Sequence, residues 1–337
     1  MMKNQLKKQV KRQLKKLLAV GASVLLMCIS LAGCGAEALP DVVRVGSMKG
    51  PTSMGLMFLM EKNEAGKAEN NYEFQMVTAA DELLPLMVKG DLDIVLVPAN
   101  VASVLYNKTQ GGVVAIDINT TGVLYMISGD SSLQEITDLK GRTIYLTGKG
   151  TTPDYVLRYI LAQNGLSDAD CTLEYKSEAT EVAAVLAENP DAIGLLPQPF
   201  VTVACAQNEA LSIVFSMDEE WSKVQGESGA STVTGVTVVR REFLEENENA
   251  VKVFLEEHAE SAKAINDDPA AGAALVVKAG IIAKEPIAQK AIPYCSIVSI
   301  TGQEMEKALA GYLAVLHEQS PEAVGGTLPG EDFYYVD

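Results

Sequence analysis

From residue 42 onward, most of the chain switches between segments with the hydrophobic pattern of a β-strand and segments with that of an α-helix. Short apolar runs, such as those at 93–97 and 143–147, have the length and the β-branched content of buried strands. Stretches such as 154–164 place apolar residues at helical spacing instead. Strands that alternate with helices are typical of a parallel sheet covered by helices, so the pattern predicts an α/β fold.

The strand–helix alternation occurs twice along the chain. The predicted strands cover residues 42–46, 72–77, 93–97 and 113–118 in the first series, and residues 143–147, 171–175, 191–196 and 211–215 in the second. Two further segments, near 123–128 and 231–239, link the two series and predict a hinge. We therefore predict two doubly wound α/β lobes, with residues 41–122 plus 236–337 in the first and residues 123–235 in the second.

The C-terminal part of the chain has mainly helical patterns. A polar, glycine-rich stretch around 221–228 and a predicted strand at 233–239 precede it. Helices are then predicted at 243–265, 269–279, 286–292 and 302–319, and we assign all of them to the first lobe.

Two turns of similar sequence follow the first strand of each series, at Lys49–Thr52 and at Lys149–Thr152. In the second turn, Thr151 or Thr152 can cap the following helix, and Pro153 suits its first turn. Such turns direct free backbone N–H groups and the positive end of a helix dipole at one point. That point is a natural seat for an anion or a carbonyl oxygen. The alternative is that both are ordinary strand–helix turns, which commonly contain Gly and a Thr cap.

The first 33 residues have the pattern of a secretory signal peptide. A basic segment that contains seven Lys and Arg residues precedes an apolar run from Leu17 to Leu31. The run of roughly 15 apolar residues is short of the ~20 that a membrane-spanning helix needs. Leu31-Ala32-Gly33-Cys34 resembles a bacterial lipobox, in which the cysteine becomes the lipidated first residue of the mature protein. We therefore predict lipidation at Cys34 and a tether at 34–40.

The net charge of the chain limits the kinds of molecule that it can bind. The whole chain has 27 Lys and Arg residues against 44 Asp and Glu residues. Because the first 33 residues carry seven of the basic residues and none of the acidic ones, the remaining chain has 20 basic and 44 acidic residues, a formal net charge of −24. So acidic a protein is a poor match for nucleic acid or for anionic lipid.

The sequence contains no recognisable catalytic or metal-binding pattern. The three cysteines after Cys34 have no metal spacing, and their odd number argues against a disulfide framework. We expect Cys171, Cys205 and Cys295 to be small buried residues. His258 and His317 lie in long helical patterns without a neighbouring nucleophile, and the glycine-rich turns lack the spacing of a phosphate-binding P-loop. We expect no cofactor and no metal.

Four segments together resemble a known family. They are Asp91–Ala99, Asp138–Thr152, Ala187–Phe200 and Arg241–Leu255. Their order and spacing are similar to those of the solute-binding proteins of ABC importers, in the branch that takes up nitrate, sulfonates such as taurine, and thiamine-precursor pyrimidines. The resemblance implies a type II periplasmic-binding-protein fold, a monomer, and a small ligand that is passed to an ABC permease. Gln198 departs from the family, which often has Glu there.

The candidate ligand-binding residues follow from the position of the strands. Ligands of open α/β sheets bind beyond the carboxyl ends of the strands. That rule selects Lys49, Gly50, Thr52, Thr78, Ala79, Asn100, Thr120, Lys149, Gly150, Thr151, Thr152 and Gln198. Tyr125 and Trp221 can stack on a planar ligand. The alternatives are that both lysines point to solvent and that Trp221 packs between the lobes.

These observations favour a lipid-anchored binding protein outside the cytoplasm, with an anionic or planar heterocyclic ligand. One alternative is an enzyme on the same fold, of the pyrimidine-precursor or menaquinone-pathway type. The predicted lipobox and the lack of a histidine near the predicted cleft argue against an enzyme. Another alternative is an extracellular sensor domain, which uses the same cleft with a different downstream partner.

Overall fold

The computed structural model describes residues 39–225 and 232–336. From Pro40 onward the chain forms one compact unit. The predicted signal peptide, Cys34 and most of the predicted tether lie outside the described residues, as do residues 226–231. No helix in the described part of the chain is both long and apolar enough to cross a bilayer.

The described strands form two separate sheets. The strands are β1 (Val43–Met48), β2 (Tyr72–Val77), β3 (Ile94–Pro98), β4 (Val113–Thr120), β5 (Leu124–Ser128), β6 (Thr143–Thr147), β7 (Thr172–Lys176), β8 (Ile193–Pro197), β9 (Ser212–Ser216), β10 (Gly235–Arg240) and β11 (Ile297–Ile300). The first sheet has the order β11-β4-β10-β3-β1-β2, and the second has the order β7-β6-β8-β5-β9.

Helices cover these sheets. They are α1 (Pro51–Met54), α2 (Met57–Glu64), α3 (Ala80–Lys89), α4 (Ala99–Thr109), α5 (Thr152–Gln163), α6 (Ala179–Glu188), α7 (Phe200–Gln207), α8 (Met217–Val224), α9 (Arg241–Glu246), α10 (Glu248–Asp267), α11 (Pro269–Lys278), α12 (Glu285–Ala291) and α13 (Gly302–Gln319). In the second sheet's layer, α5 packs on α8 and α6 packs on α7.

The predicted two-lobed α/β architecture is confirmed. Strands β1, β2 and β3 are parallel, and β10 lies antiparallel between β3 and β4. Strands β6, β7 and β8 are likewise parallel, and β5 lies antiparallel between β8 and β9. The chain passes from the first sheet to the second between β4 and β5, and it returns between α8 and β10. Two crossing segments therefore join the lobes.

Buried charges fix the ends of the first sheet's strands. Asp93 is fully buried and accepts hydrogen bonds from Arg44, at 2.9 Å from Nε and 2.8 Å from Nη2, and from Arg240 Nη2 at 3.3 Å. A second buried pair lies within the sheet: His258 Nδ1 of α10 is 2.7 Å from Asp117 Oδ2 of β4, and both side chains are fully buried. This pair links α10 to the sheet, so His258 has a structural position in the first lobe.

Two predicted elements of the C-terminal part are different in the structure. The single helix predicted at 243–265 is two helices, α9 and α10, because Asn247 adopts a non-helical backbone conformation (φ −139, ψ 41). Part of the glycine-rich stretch around 221–228 is helical, since α8 runs to Val224. The hydroxyl of Ser216 accepts a hydrogen bond from Glu219 N and caps this helix.

A smaller difference from the prediction concerns one strand, β11. Strand β11 was not predicted; it is four residues long and pairs with β4 in an irregular register. The C-terminal helices also contact the second lobe, since α12 touches α7 and α13 touches α5. Cys171 and Cys295 are buried as expected, whereas Cys205 is half-buried.

Candidate functional site

The carboxyl ends of the parallel strands bring the candidate residues of each lobe to one edge of its sheet. In the first sheet, Pro98 and Thr120 both pair with Gly235, the first residue of β10. In the second sheet, Pro197 pairs with Leu124, the first residue of β5. Because only three residues separate Thr120 from Leu124, and an extended residue spans at most about 3.6 Å, the two edges adjoin. A shared cleft between them is the candidate site.

Neutral polar side chains converge at the first lobe's edge. Thr52, Asn119 and Thr120 are all buried. The Thr120 hydroxyl donates to Asn119 Oδ1 at 2.9 Å, and Asn119 Nδ2 donates to Thr237 Oγ1 at 3.2 Å. These residues surround Gly235, where an added Cβ atom would lie 2.4 Å from Asn119 Oδ1 and 2.5 Å from Thr52 Cγ2. Glycine at 235 therefore permits this close approach.

Gln198 is the corresponding polar residue at the end of β8 in the second lobe. Its side chain is 2% exposed. Its Oε1 accepts hydrogen bonds from Thr202 Oγ1 at 2.8 Å and from Thr202 N at 3.3 Å, which fixes the orientation of the amide. The Nε2 atom is buried without a hydrogen-bond partner among the described residues. An unpaired buried donor is costly, so Nε2 is a candidate to bind an acceptor atom of a ligand.

Tyr125 lies beside the crossing segment at the start of β5. Its hydroxyl donates to the carbonyl oxygen of Tyr294 at 2.9 Å, and the two rings meet edge to face at 6.1 Å. Burial raises the pKa of Tyr125 to about 12, and Ser296 opposes part of the rise. The ring is 8% exposed. In this structure Tyr125 therefore joins the lobes near the cleft.

The turn at Lys149–Thr152 does not offer the free amide that the sequence predicted at Gly150. Asp154 is buried and its Oδ2 accepts the hydrogen bond of Gly150 N at 2.8 Å. Thr151 has the N-cap position of α5, but its hydroxyl donates to the carbonyl oxygen of Gly148 at 2.6 Å instead of capping the helix. Thr152 lies near the buried Tyr312, whose raised pKa it lowers in part. A carboxylate of the chain itself therefore lies at this helix N-terminus.

The same arrangement occurs at two other strand–helix turns, after β2 in the first lobe and after β7 in the second. Glu82 Oε1 accepts hydrogen bonds from the backbone N–H groups of Thr78 and Ala79, at 3.2 and 3.0 Å. Glu181 Oε2 accepts one from Ser177 N at 3.1 Å. Each carboxylate satisfies orphan N–H groups and interacts favourably with the helix dipole. At all three turns, a carboxylate of the chain itself therefore occupies the helix N-terminus.

The similarity of the two Lys-Gly-x-Thr turns does not extend to their geometry. Helix α1 has four residues and begins at Pro51 with Gly50 as its N-cap, whereas α5 begins at Thr152. Both lysines are exposed. Lys149 Nζ lies 5.5 Å from the centre of the Tyr175 ring in its own lobe, and Lys49 Nζ lies beside Gly280, just after α11.

Trp221 packs between the lobes, which was the alternative to stacking on a ligand. It is 1% exposed, and its ring lies 4.5 Å from that of Tyr159 in α5 and 5.5 Å from that of Tyr312 in α13. The three rings therefore connect the second lobe with a C-terminal helix of the first. Of the remaining candidates, Asn100 is half-buried in the first turn of α4.

Some residues at this edge were not among the candidates. Asp218 Oδ1 accepts hydrogen bonds from Thr232 N at 2.7 Å and Thr232 Oγ1 at 2.8 Å, and burial raises the pKa of Asp218. Ser296 Oγ donates to Gly122 O at 2.5 Å. The Asp218–Thr232 pair holds the segment that leads to β10, and the Ser296–Gly122 pair holds the segment between β4 and β5. Sequence analysis missed Ser296 because it precedes the short strand β11, which has no clear periodicity.

The described residues contain no group of three or more His, Cys, Asp or Glu side chains placed to hold a metal ion. His258 is fully buried in the core of the first lobe with Asp117. The candidate cleft therefore has hydroxyl, amide and aromatic groups as its main chemistry, which suits binding by hydrogen bonds.

Comparison with known proteins gives the same fold. The sequence model of the NMT1/THI5-like family matches residues 113–272. No curated protein sequence matches the chain. An ABC transporter structure from Parabacteroides distasonis is 22% identical with a TM-score of 0.74, over 88% of this chain and 99% of that one.

Two further structures extend the comparison. The periplasmic aliphatic sulphonate-binding protein SsuA from Escherichia coli is 16% identical with a TM-score of 0.68, over 87% of this chain and 95% of that one. The periplasmic nitrate-binding protein NrtA from Synechocystis PCC 6803 is 13% identical with a TM-score of 0.57, over 86% and 85% of the two chains. The chain thus has the type II periplasmic-binding-protein fold, and it resembles the substrate-binding proteins of ABC transporters, with the NMT1/THI5-like family as its matching sequence family.

Proposed function

We propose that this protein is a lipid-anchored solute-binding protein outside the cytoplasm, which delivers a small ligand to an ABC importer. Its fold is shared with proteins described as an ABC transporter, a sulphonate-binding protein and a nitrate-binding protein. The lipobox-like Leu31–Cys34 segment supports attachment to the membrane by a lipid on Cys34. The adjoining strand ends of the two lobes support a ligand site of the kind that closes around a small molecule.

The ligand that the geometry favours is uncharged or cationic, and it carries a hydrogen-bond acceptor. The observation behind this choice is that Asp154, Glu82 and Glu181 occupy the helix N-termini of the candidate edge. Like charges brought together repel each other, so nitrate or a sulfonate would be bound poorly at these turns. Gln198 Nε2 would donate to the acceptor, and Thr52 and Thr120 would add hydroxyl groups. A planar heterocycle with ring nitrogens has this chemistry.

The position of His258 argues against the enzyme alternative. The pyrimidine-synthesising enzymes that share this architecture use an active-site histidine, whereas His258 is fully buried against Asp117 in the first lobe. His317 lies in the last turn of α13. An extracellular sensor domain would use the same cleft. Co-purification with an ABC permease would support the import role over the sensor role.

The test of ligand class is a thermal-shift screen of residues 35–337 against thiamine pyrimidines, riboflavin, polyamines, nitrate, taurine and alkylsulfonates. A ligand at 100 times its Kd stabilises the folded protein by about 2.7 kcal/mol, which raises Tm by several degrees in a protein of this size. We expect a shift with an uncharged or cationic compound. Gln198→Leu should reduce it, and Gln207→Leu, at the exposed end of α7, should not. A shift with nitrate or sulfonates alone would contradict the proposed ligand class while leaving the transport role intact.

Anchoring is tested on the full chain in bacterial cells. Cys34→Ser should move the protein from the membrane fraction to the soluble fraction and remove the mass of the lipid from the mature N-terminus. Cys28→Ser, within the apolar run, is the matched control and should change neither. Absence of a lipid mass on Cys34 of the unchanged mature protein would exclude lipidation at this cysteine.

A further inference from the structure

A second groove adjoins the candidate cleft, and none of the candidate ligand-binding residues lines it. It has a volume of about 570 Å³ and is lined by α7, by β9 with the residue before it, and by the end of α12 with Tyr294. Most of its lining is apolar, including Val201, Leu211 and Ile213. Ile213 and Tyr294 are 37% and 46% exposed, high values for large apolar side chains. The groove is large enough for a small molecule.

Both lobes contribute to this groove. Helix α7 and β9 belong to the second lobe. Lys290 lies in α12 and Tyr294 just after it, and α12 packs on α11, which contacts α2 of the first lobe. Strands β9 and β11 are the outermost strands on the side of the crossing segments, and the strands that carry most of the cleft candidates lie on the other side. The groove therefore lies behind the hinge.

This position links the groove to movement of the lobes. A rotation about the crossing segments that separates the strand ends in the cleft must bring together groups on the opposite side of the hinge. Tyr294 connects the two regions directly, since its carbonyl oxygen accepts the hydrogen bond of Tyr125. A molecule that fills the groove would therefore oppose opening of the cleft.

Lys290 gives the groove its charge preference. It is the one charged residue among the described lining residues, and it makes no ion pair with any other described residue. The hydroxyls of Thr202 and Ser212 already donate, to Gln198 Oε1 and to Ser128 O. Burial raises the pKa of the Cys205 thiol, as expected in apolar surroundings. The chemistry is an apolar surface with one unpaired cation.

We infer that this groove binds a small amphipathic monoanion, with an aliphatic or aromatic body against Val201 and Ile213 and its negative group at Lys290, and that its occupancy favours the closed cleft. Because coupling between two sites is reciprocal, a cleft ligand should in turn strengthen binding in the groove. The inference is independent of the identity of the cleft ligand.

The test uses octanoate as the probe and residues 35–337, which contain the whole compact unit. Isothermal titration should give one site with a Kd of about 1 mM or tighter, a modest affinity. Octanoate should slow alkylation of Cys205 by N-ethylmaleimide, measured by peptide mass spectrometry, with the buried Cys171 and Cys295 as internal references. n-Octylamine, with the opposite charge, should protect less.

Variants locate the site. Lys290→Met should weaken octanoate binding about threefold, as expected for an exposed ion pair, and Lys284→Met, at the start of the same helix, should leave it unchanged. Ala206→Phe fills the groove and should abolish binding; circular dichroism confirms that it is folded. Small-angle scattering should show a smaller radius of gyration with octanoate. Unchanged Cys205 alkylation, equal protection by octylamine, or no effect of Lys290→Met would each overturn the inference.

Discussion

Asp154 Oδ2 accepts the backbone hydrogen bond of Gly150 N at 2.8 Å, four residues before it in the chain. Its Oδ1 accepts hydrogen bonds from Arg158 Nε at 2.6 Å and from the Tyr175 hydroxyl at 2.7 Å. One buried carboxylate thus orders the glycine-rich turn, the first turns of α5 and the end of β7. The turn that looked most like an anion site in the sequence is already occupied by the chain's own negative charge.

The first prediction is that Asp154→Asn destabilises the protein and changes its response to anions. Loss of the charged acceptor at Gly150 and Arg158 should lower the free energy of unfolding by about 2 kcal/mol, measured by urea denaturation. With the negative charge removed, sulfate should stabilise Asp154→Asn more than it stabilises the unchanged protein.

Asp168→Asn is the matched control for this variant. Asp168 also pairs with Arg158, but its side chain is 73% exposed, and exposed pairs contribute little. A loss of stability in Asp168→Asn equal to that in Asp154→Asn would show that the Arg158 ion pair, and not the turn at Gly150, carries the effect.

The second prediction concerns the close approach at Gly235. Gly235→Ala places a methyl group within 2.4–2.5 Å of Asn119 Oδ1 and Thr52 Cγ2, so these side chains must move. Overpacking of this kind costs about 1–3 kcal/mol, and it should also weaken binding of any cleft ligand found by the thermal-shift screen.

Gly311→Ala provides the comparison within the same chain. An added Cβ at Gly311, in α13, meets no atom within 4 Å, and alanine is favoured over glycine in a helix by about 0.5–1 kcal/mol. Gly311→Ala should therefore raise Tm while Gly235→Ala lowers it. Equal ligand affinity in Gly235→Ala and the unchanged protein would place the ligand away from Thr52 and Asn119.

The two-lobed fold could be predicted because its signals are local. The apolar strand at 94–97 and the helix from Thr152 onward are recognisable from periodicity and turn residues alone. Strand β11 was missed because four residues in an irregular register carry no such period. The break at Asn247 was missed because the apolar spacing of α9 continues almost in phase with that of α10.

The candidate site was harder to predict, because its details depend on contacts between distant residues. The ends of the strands indicated Thr52 and Thr120 at the edge of the first sheet and Gln198 at the edge of the second, and their role in binding stays a prediction. The sequence could not show that Asp154 folds back to Gly150, or that Trp221 lies between Tyr159 and Tyr312. Both features depend on side-chain directions that periodicity does not determine.

The third prediction is a pH dependence at Tyr125. Burial raises its pKa from 10.0 to about 12 in the folded protein. Below pH 10 both states keep the proton, and between pH 10 and 12 only the unfolded state loses it. Stability should therefore fall as the pH rises through this window. Tyr125→Phe should reduce the slope of the unfolding free energy against pH between 10 and 12.

Tyr294→Phe is the control for the alkaline experiment, since Tyr294 contacts Tyr125 through its carbonyl oxygen and its own ring is 46% exposed. It should leave the slope unchanged. If Tyr125→Phe has the same slope as the unchanged protein, Tyr125 is not ionised on unfolding in this range. Other tyrosines with a raised pKa, such as the half-buried Tyr334, would then account for the alkaline loss.

The last prediction concerns the buried charge at the far end of the first sheet. Asp93→Asn leaves Arg44 and Arg240 without the carboxylate that both contact. Loss of this buried charged acceptor should cost about 1–3 kcal/mol, since the Arg44 and Arg240 side chains are 36% and 20% exposed and are partly resolvated. Asp91→Asn, an exposed neighbour, should change stability little. Since Asp93 lies at the opposite ends of the strands from the cleft, Asp93→Asn protein that is still folded should keep its ligand affinity. A loss of affinity would show that the spacing of β1, β3 and β10 is transmitted along the strands to the site.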